Sequence, residues 1–319
     1  MTAATGRYGV RVVRAAPETS VFRGKPVSFE IPTHFHQTYS TNVQLLLQQR
    51  GSKLRPCVMA GSYTGKAAKA VEQVGPVTAR KRTTRHADTP LISTPADARW
   101  VFPVDYEWGD LIDDEDKLRT LIDPQSPYSQ NGAMALGRSM DDEIIAAFFA
   151  DAKTGENGST VTAWDTARTV PHDEGGATAG MNHAKVRAAL QKLLEAEVDV
   201  DSDELFIAAG AKQIMELFGE TQTLSVDYVD GKPVITGKIP MLYGFKFVHS
   251  QKLDKVGDNR HCAAWAKSGM HLGIWNDINT SIDRRADKGN ATQVLCKGTF
   301  GATRTEEAKV IRIECSEAA

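Results

Sequence analysis

Leu136, Met140, Ile144 and Phe148 recur at four-residue spacing, with Ala133, Ala147 and Phe149 beside them. Such spacing lays one apolar stripe along a helix and predicts that helix over Tyr128–Asp151. Ser126 is placed to cap it, Pro127 to open it, and Arg138 to pair with Asp142 one turn on. At ~1.5 Å per residue the rod would be roughly 36 Å long, and the turn residues Thr154 to Ser159 would end it. Val186, Leu190, Leu193 and Leu194 draw a second stripe over His183 to about Val198, with Asn182 as cap. Leu205 to Ala208 reads as a short buried strand, and Ala211 to Phe218 as a third helix stopped by Gly219. The remaining apolar runs predict strands: Leu224 to Val229, Gly237 to Gln251, Ala263 to Ile274, Val294 to Phe300 and Lys309 to Cys315. Ile311, Ile313 and Cys315 share one face of the last. Asn279 to Asn290 is polar and reads as a loop. The chain is an α+β protein without internal repeats.

Two stretches lack these patterns. Residues 1–48 read as an irregular or extended arm interrupted by Pro26, Pro32 and the polar run Thr38 to Asn42, with a short helical turn over Val43 to Gln49. Residues 56 to about 104 read as a long two-stranded excursion rich in Thr, Val and turn residues, punctuated by Pro90, Pro95 and Pro103. Few of its side chains are large and apolar. An isolated hairpin is marginal in water, so this one needs a surface to lie on.

Charge sharpens that expectation. The formal net charge is only −2, which excludes a strong electrostatic grip on nucleic acid. Locally the balance is uneven. Between Arg50 and Asp88 nine basic residues face Glu72 and Asp88, a local +7; between Asp105 and Asp123 eight acidic residues face Lys117 and Arg119, a local −6. Solvated faces would account for both runs. Complementary patches on one chain also set register and speed encounter between copies, and head-to-tail contacts of that kind build rings.

Candidate chemistry adds little. The run Ala60 to Ala67 imitates a phosphate loop, but Ala60 replaces the required Gly and Ala67 the required hydroxyl. Asp199, Asp201 and Asp203 open like a calcium loop, yet Glu204 and Gly210 occupy the positions of its Gly and closing Glu; an acidic turn is the plainer reading. His34 and His36 could seat a metal from one face of a strand, without a third ligand nearby. Asp113 to Asp116 fits a solvated helix start better than a magnesium site. Cys57, Cys262, Cys296 and Cys315 form no CxxC pair and read as buried small hydrophobes. No run reaches ~18 apolar residues and no leader-like apolar segment opens the chain, so the expectation is a chain made and kept in the cytosol.

Several blocks resemble the major capsid proteins of tailed phages, which have the Hong Kong 97-type fold. They are LQQRGSKLRPCV (47–58), WGDLIDDEDKLRTLIDPQSPYSQNGAMALGRSMDDEIIAAF (108–148), LFIAAGAKQIMELF (205–218), LYGFKFVHSQKL (242–253), AWAKSGMHLGIWNDINTSIDRR (264–285) and KGTFGATRTEEAKVIRIEC (297–315). Their collinear order carries the resemblance. It implies an N-terminal arm over 1–48, an extended E-loop over 49–104, a peripheral domain with the spine helix over 105–200, an axial domain over 201–291, and return strands to the peripheral domain over 292–319. It implies hexamers and pentamers closing into an icosahedral shell around double-stranded DNA, which is contacted non-specifically. It further implies a separate scaffolding protein, a portal and room for a decoration protein, with assembly in the host bacterial cytoplasm, and neither cofactor nor catalytic residues. Within that frame, Lys66, Lys69, Arg80, Lys81, Arg82 and Arg85 of one copy are expected over Asp113, Asp114, Glu115 and Asp116 of the next. Some members also cross-link a loop lysine to an asparagine, for which Lys66 or Lys69 with Asn290 would stand here. A shell of the same fold that encloses enzymes, an encapsulin, is the alternative; a metal enzyme built on His34 and His36 is the remote one.

Overall fold

The computed structural model describes residues 48–85, 91, 93–113, 125–175, 179–220, 239 and 241–318. In chain order the strands and helices are β1 (Met59–Ser62), β2 (Ala68–Val74), β3 (Ala96–Val101), β4 (Val104–Ile112), α1 (Gln125–Phe149), β5 (Ala152–Thr154), β6 (Thr160–Thr162), β7 (Thr169–Val170), α2 (His183–Glu195), β8 (Leu205–Ala209), α3 (Ala211–Gly219), β9 (Phe245–His249), β10 (Lys255–Val256), β11 (Asn259–Ala266), β12 (Met270–Arg285), β13 (Ala291–Arg304) and β14 (Val310–Ser316). The arm over 1–47, His34 and His36, and the strand expected over Leu224 to Val229 lie outside the described residues.

The predicted helical stripe is the centre of the molecule. Leu136, Met140, Ile144 and Phe148 of α1 are all buried. The helix starts three residues earlier than expected, so Ser126 and Pro127 lie inside its first turn. It lies along a sheet ordered β1-β12-β13-β4. Gly132 lets the helix sit on that sheet, because a Cβ there would overlap the Trp108 ring and the Cys296 sulfur. Further along, Tyr106 stacks on Phe300 at 5.0 Å and donates its hydroxyl to Glu143. The second sheet runs β7-β14-β11-β8-β9, with β10 paired to β11. Its strand β8 is buried at every position, as expected for a strand covered on both faces. Trp265 of β11 joins the two halves: its ring lies 4.7 Å from Phe148 and 5.8 Å from Phe206, and its indole N–H donates to Cys57 O at 2.9 Å. A third sheet, β2-β3-β5-β6, sits at the C-terminal end of α1.

Four expectations change. The polar stretch Asn279 to Asn290 is mostly strand: β12 continues to Arg285 and turns back through Gly289 and Asn290, both at positive φ, into β13. Its pairing with β13 is regular, but Asn279 to Arg284 are exposed on both faces of the strand, so no apolar alternation marks it. The single β run over Ala263 to Ile274 is two strands in different sheets, separated by the turn Lys267–Gly269. Sheet membership therefore does not follow the division expected at residue 291: β12 lies with β13, and the closing strand β14 lies with β11. On α2, Leu194 is exposed, and Lys185 is buried, its ammonium donating to Ala179 O and Glu314 O. Asn182 caps α2 as expected, accepting from Lys185 N at 2.8 Å.

Candidate functional site

The extended excursion divides into a root inside the core and an outer reach outside it. The root is held by Asp141 of α1, which is only 1% exposed. Its carboxylate accepts from the Gln49 amide, from Ser52 Oγ at 2.5 Å, and from the backbone N–H groups of Lys53 and Leu54 at 3.0 and 3.1 Å. Gly51, at φ +66°, packs so closely that a Cβ on Gly137 would come within 2.7 Å of its backbone. Arg138 does not pair with Asp142; it donates to Gln48 Oε1 at 2.7 Å and to Gln49 O at 3.3 Å. Asp142 pairs instead with Lys252 at 2.6 Å. Lys53 donates its ammonium to His249 O at 3.0 Å and Arg55 takes Asp277 bidentately at 3.0 and 2.7 Å, so two of the basic residues counted in the local excess serve the body.

Past Ser62 the chain leaves the core. The run Ala60 to Ala67 connects one strand to another, β1 to β2, with no helix behind it. β2 pairs with β3 over Ala68–Val74 and Ala96–Val101, and Gly75 N donates to Pro95 O at 2.7 Å. The described residues from Pro76 to Pro95 are not in strands; the two-stranded excursion is shorter than its composition suggested. Arg80, Lys81, Arg82 and Arg85 are exposed and have no ion pair among the described residues, and in the same stretch of chain Val77 is 53% and Leu91 100% exposed. Lys66 is exposed likewise. Lys69 differs: it lies over the Trp100 ring and reaches Glu72 at 3.5 Å.

Exposed acidic residues begin on β4. Asp105 and Glu107 are exposed on the face turned away from α1, with Asp113 exposed just past the strand. Asp105 accepts from Thr299 at 2.6 Å, and Glu107 lies in register with Lys297 of β13. Of the expected strip Asp113 to Asp116, only Asp113 is described; Asp114, Glu115 and Asp116 lie outside the described residues. Asp199 is engaged in a local turn by Ser202, and Asp203 by Ser268, in keeping with an acidic turn. The four cysteines are buried and unpaired; burial pushes the Cys57 thiol up to about 11.

The polar network at the far end of α1 was not anticipated. Arg304 is 1% exposed and donates to Phe148 O at 3.0 Å and Ala150 O at 2.8 Å, a cation at the negative end of the helix. Glu307 reaches Arg304 at 3.5 Å and Arg99 of β3 at 2.8 Å. A charged residue flanking the apolar stripe one turn after a glycine, as Asp141 follows Gly137, was the one signal available for the root; nothing local marks Arg99 as the partner of Glu307.

Residues 31–317 match the family model described as phage capsid protein. No curated protein matches the chain. Among solved structures, the capsid of Cyanophage P-SCSP1u is similar at a TM-score of 0.69 and 13% identity, covering 89% of this chain and 94% of that one. The Cyanophage Pam1 capsid is similar at 0.66 and 14%, covering 91% and 99%. The capsid of a native GTA particle is similar at 0.64 and 12%, covering 92% and 99%.

Proposed function

The chain belongs to the phage capsid protein family, and from that premise we propose how its copies hold one another in a shell. The fold is the Hong Kong 97-type capsid fold, and the function is that of a major capsid shell subunit, a self-associating component of the virion capsid. In this proposal the role is structural and not catalytic. Copies gather as hexamers and pentamers into an icosahedral shell around double-stranded DNA. A scaffolding protein, a portal and a decoration protein complete the particle, and assembly takes place in the host bacterial cytoplasm. α1 with the β1-β12-β13-β4 sheet is assigned to the peripheral domain, the β7-β14-β11-β8-β9 sheet to the axial domain, β2 and β3 with the residues between them to the E-loop, and residues 1–48 to the N-terminal arm.

One observation carries the contact between copies. The exposed cations Arg80, Lys81, Arg82 and Arg85 have no acidic partner among the described residues of their own chain, while Asp105 and Glu107 on an exposed strand face, and Asp113 just past it, present the opposite charge. Exposed pairs contribute only ~0–1 kcal/mol each, so their effect lies in register and encounter rate, multiplied over every interface of a shell. We therefore place Lys66, Arg80, Lys81, Arg82 and Arg85 over the acidic strip of a neighbouring copy, the strip running from Asp105 through Asp113 to Asp116, with Lys69 contributing less. The test is electron microscopy of full-length protein co-expressed with its scaffold. Arg80, Lys81 and Arg82 all changed to Glu should cut shell yield at least tenfold while the unassembled protein keeps its circular dichroism and melting temperature. Adding Asp105→Lys, Glu107→Lys and Asp113→Lys should restore part of the yield. Parent-like shells from the triple reversal would refute the contact.

A further inference from the structure

The stem of the exposed hairpin rests on bare backbone. Gly61, Gly273 and Gly301 lie in register across β1, β12 and β13. A Cβ on Gly273 would come within 2.9 Å of Trp275, 3.1 Å of Val101 and 3.2 Å of Tyr63, and one on Gly301 would overlap Phe102 O. Tyr63 leaves the sheet and Val101 and Phe102 return to it over this row. The side chains of Tyr63, Val101 and Trp275 pack over this row, which carries no Cβ of its own and does not by itself define an angle for the stem.

Other contacts define it. On the outgoing side Tyr63 OH and His271 Nε2 are 2.8 Å apart. On the returning side Arg99, its side chain 6% exposed, gives one guanidinium nitrogen to Glu307 at 2.8 Å, and its Nε to Gln73 Oε1 at 3.3 Å. Gln73 in turn donates to Thr305 O at 2.6 Å. The other oxygen of Glu307 faces Arg304 at 3.5 Å, and Arg304 is bound to the last carbonyls of α1. One carboxylate thus stands between two largely buried guanidinium groups, one belonging to the hairpin and one fixed to the end of the long helix. Without it, two like charges would face each other where water screens them poorly.

We propose that Arg99, Glu307 and Arg304 form a latch that locks the exposed hairpin to the C-terminal end of α1. Closed, it adds to the pairing of β3 with β5 and makes hairpin and helix one body; opened, it leaves the hairpin held at that end by this pairing and by the bonds of Trp100 and Asp97 to Gly155. The consequence for assembly rests on the capsid reading above, but the latch does not, because it is internal to one chain.

Hydrogen exchange on full-length, unassembled protein tests it separately from any shell. In Glu307→Gln, amides of β2 and β3 should exchange at least tenfold faster than in the parent, while those of Met140–Phe148 stay within twofold. In the double variant Glu307→Gln with Arg99→Met the repulsion is gone, and β2 and β3 should return to within about threefold of the parent. Arg99→Met alone leaves Glu307 paired with Arg304 and should fold, with β2 and β3 a few-fold faster than in the parent; it serves if Glu307→Gln does not fold. Unchanged exchange in Glu307→Gln and Arg99→Met, acceleration of α1 together with the hairpin, or a double variant as fast as Glu307→Gln would each overturn the latch. Failure of the parent to form shells would count against the capsid reading and leave these rates standing.

Discussion

Residues 49–54 and 76–85 are separated by about twenty residues of one excursion, and they obey opposite physics. The first segment is threaded onto α1: Leu54 is fully buried, and Asp141 collects two side-chain and two backbone donors from Gln49 to Leu54. The second is exposed at every position, pairs with no strand, and carries four cations that the chain's own described carboxylates leave alone. Buried polar groups cost stability unless every partner is present, whereas exposed charges cost almost nothing to keep or to lose. The root should therefore tolerate little change and govern folding. The outer reach should tolerate much and govern association.

The largest break in that contrast is expected at Asp141. Asp141→Ala leaves the Lys53 and Leu54 N–H groups buried without an acceptor, at ~1–3 kcal/mol for each orphaned group. Denaturant unfolding of the unassembled protein should show a loss of about 3 kcal/mol or more. A loss below about 1 kcal/mol would mean that the root is not held as described. A second, smaller effect separates the body from the outer reach by pH. Arg260, then Gln213 and Lys255, hold the Glu317 carboxyl down from its ordinary 4.5 to about 2. With the folded value depressed, its contribution is fully present above pH 4.5 and is lost as the pH falls toward 2. Glu317→Gln should therefore lower stability near neutrality and flatten its fall between pH 4.5 and 2, as followed by melting temperature against pH. The smallest effect belongs to the outer reach: Arg80, Lys81 and Arg82 all changed to Ala should shift stability by no more than about 0.5 kcal/mol. A larger shift would show that these side chains support their own chain.

Much of the body was legible along the chain. The α1 stripe, the Asn182 cap and the buried strand β8 follow from patterns a few residues long, and all three appear in the structure; the turn residues Thr154 to Ser159, expected to end α1, lie beyond it, since α1 stops at Phe149 and β5 intervenes. The polar half of β12 escaped notice because it is exposed on both faces and so has no apolar alternation. Lys185 escaped because an ammonium satisfied by two distant carbonyls leaves no local mark. At the outer reach, the excess of positive charge was plain in composition, but which cations stay uncommitted was not: Lys53, Arg55 and Lys69 look the same in sequence as Arg80 to Arg82, and only packing assigns the first two to the body and Lys69 to the hairpin stem.

Taken alone, the amino-acid order determined the helices, several strand positions, the segregation of charge and the collinear blocks that mark the capsid family. Those properties are set by the 3.6- and 2-residue periods and by composition, which act over short distances. Tertiary structure alone decided that Met59–Ser62 lies parallel to β12, that Asp141 receives the turn at Gly51, and that Glu307 meets an arginine 208 positions earlier. The entropy of closing a loop rises only logarithmically with its length, so separation along the chain says little about which distant groups will meet. Complementary shape and charge in the folded body make that choice.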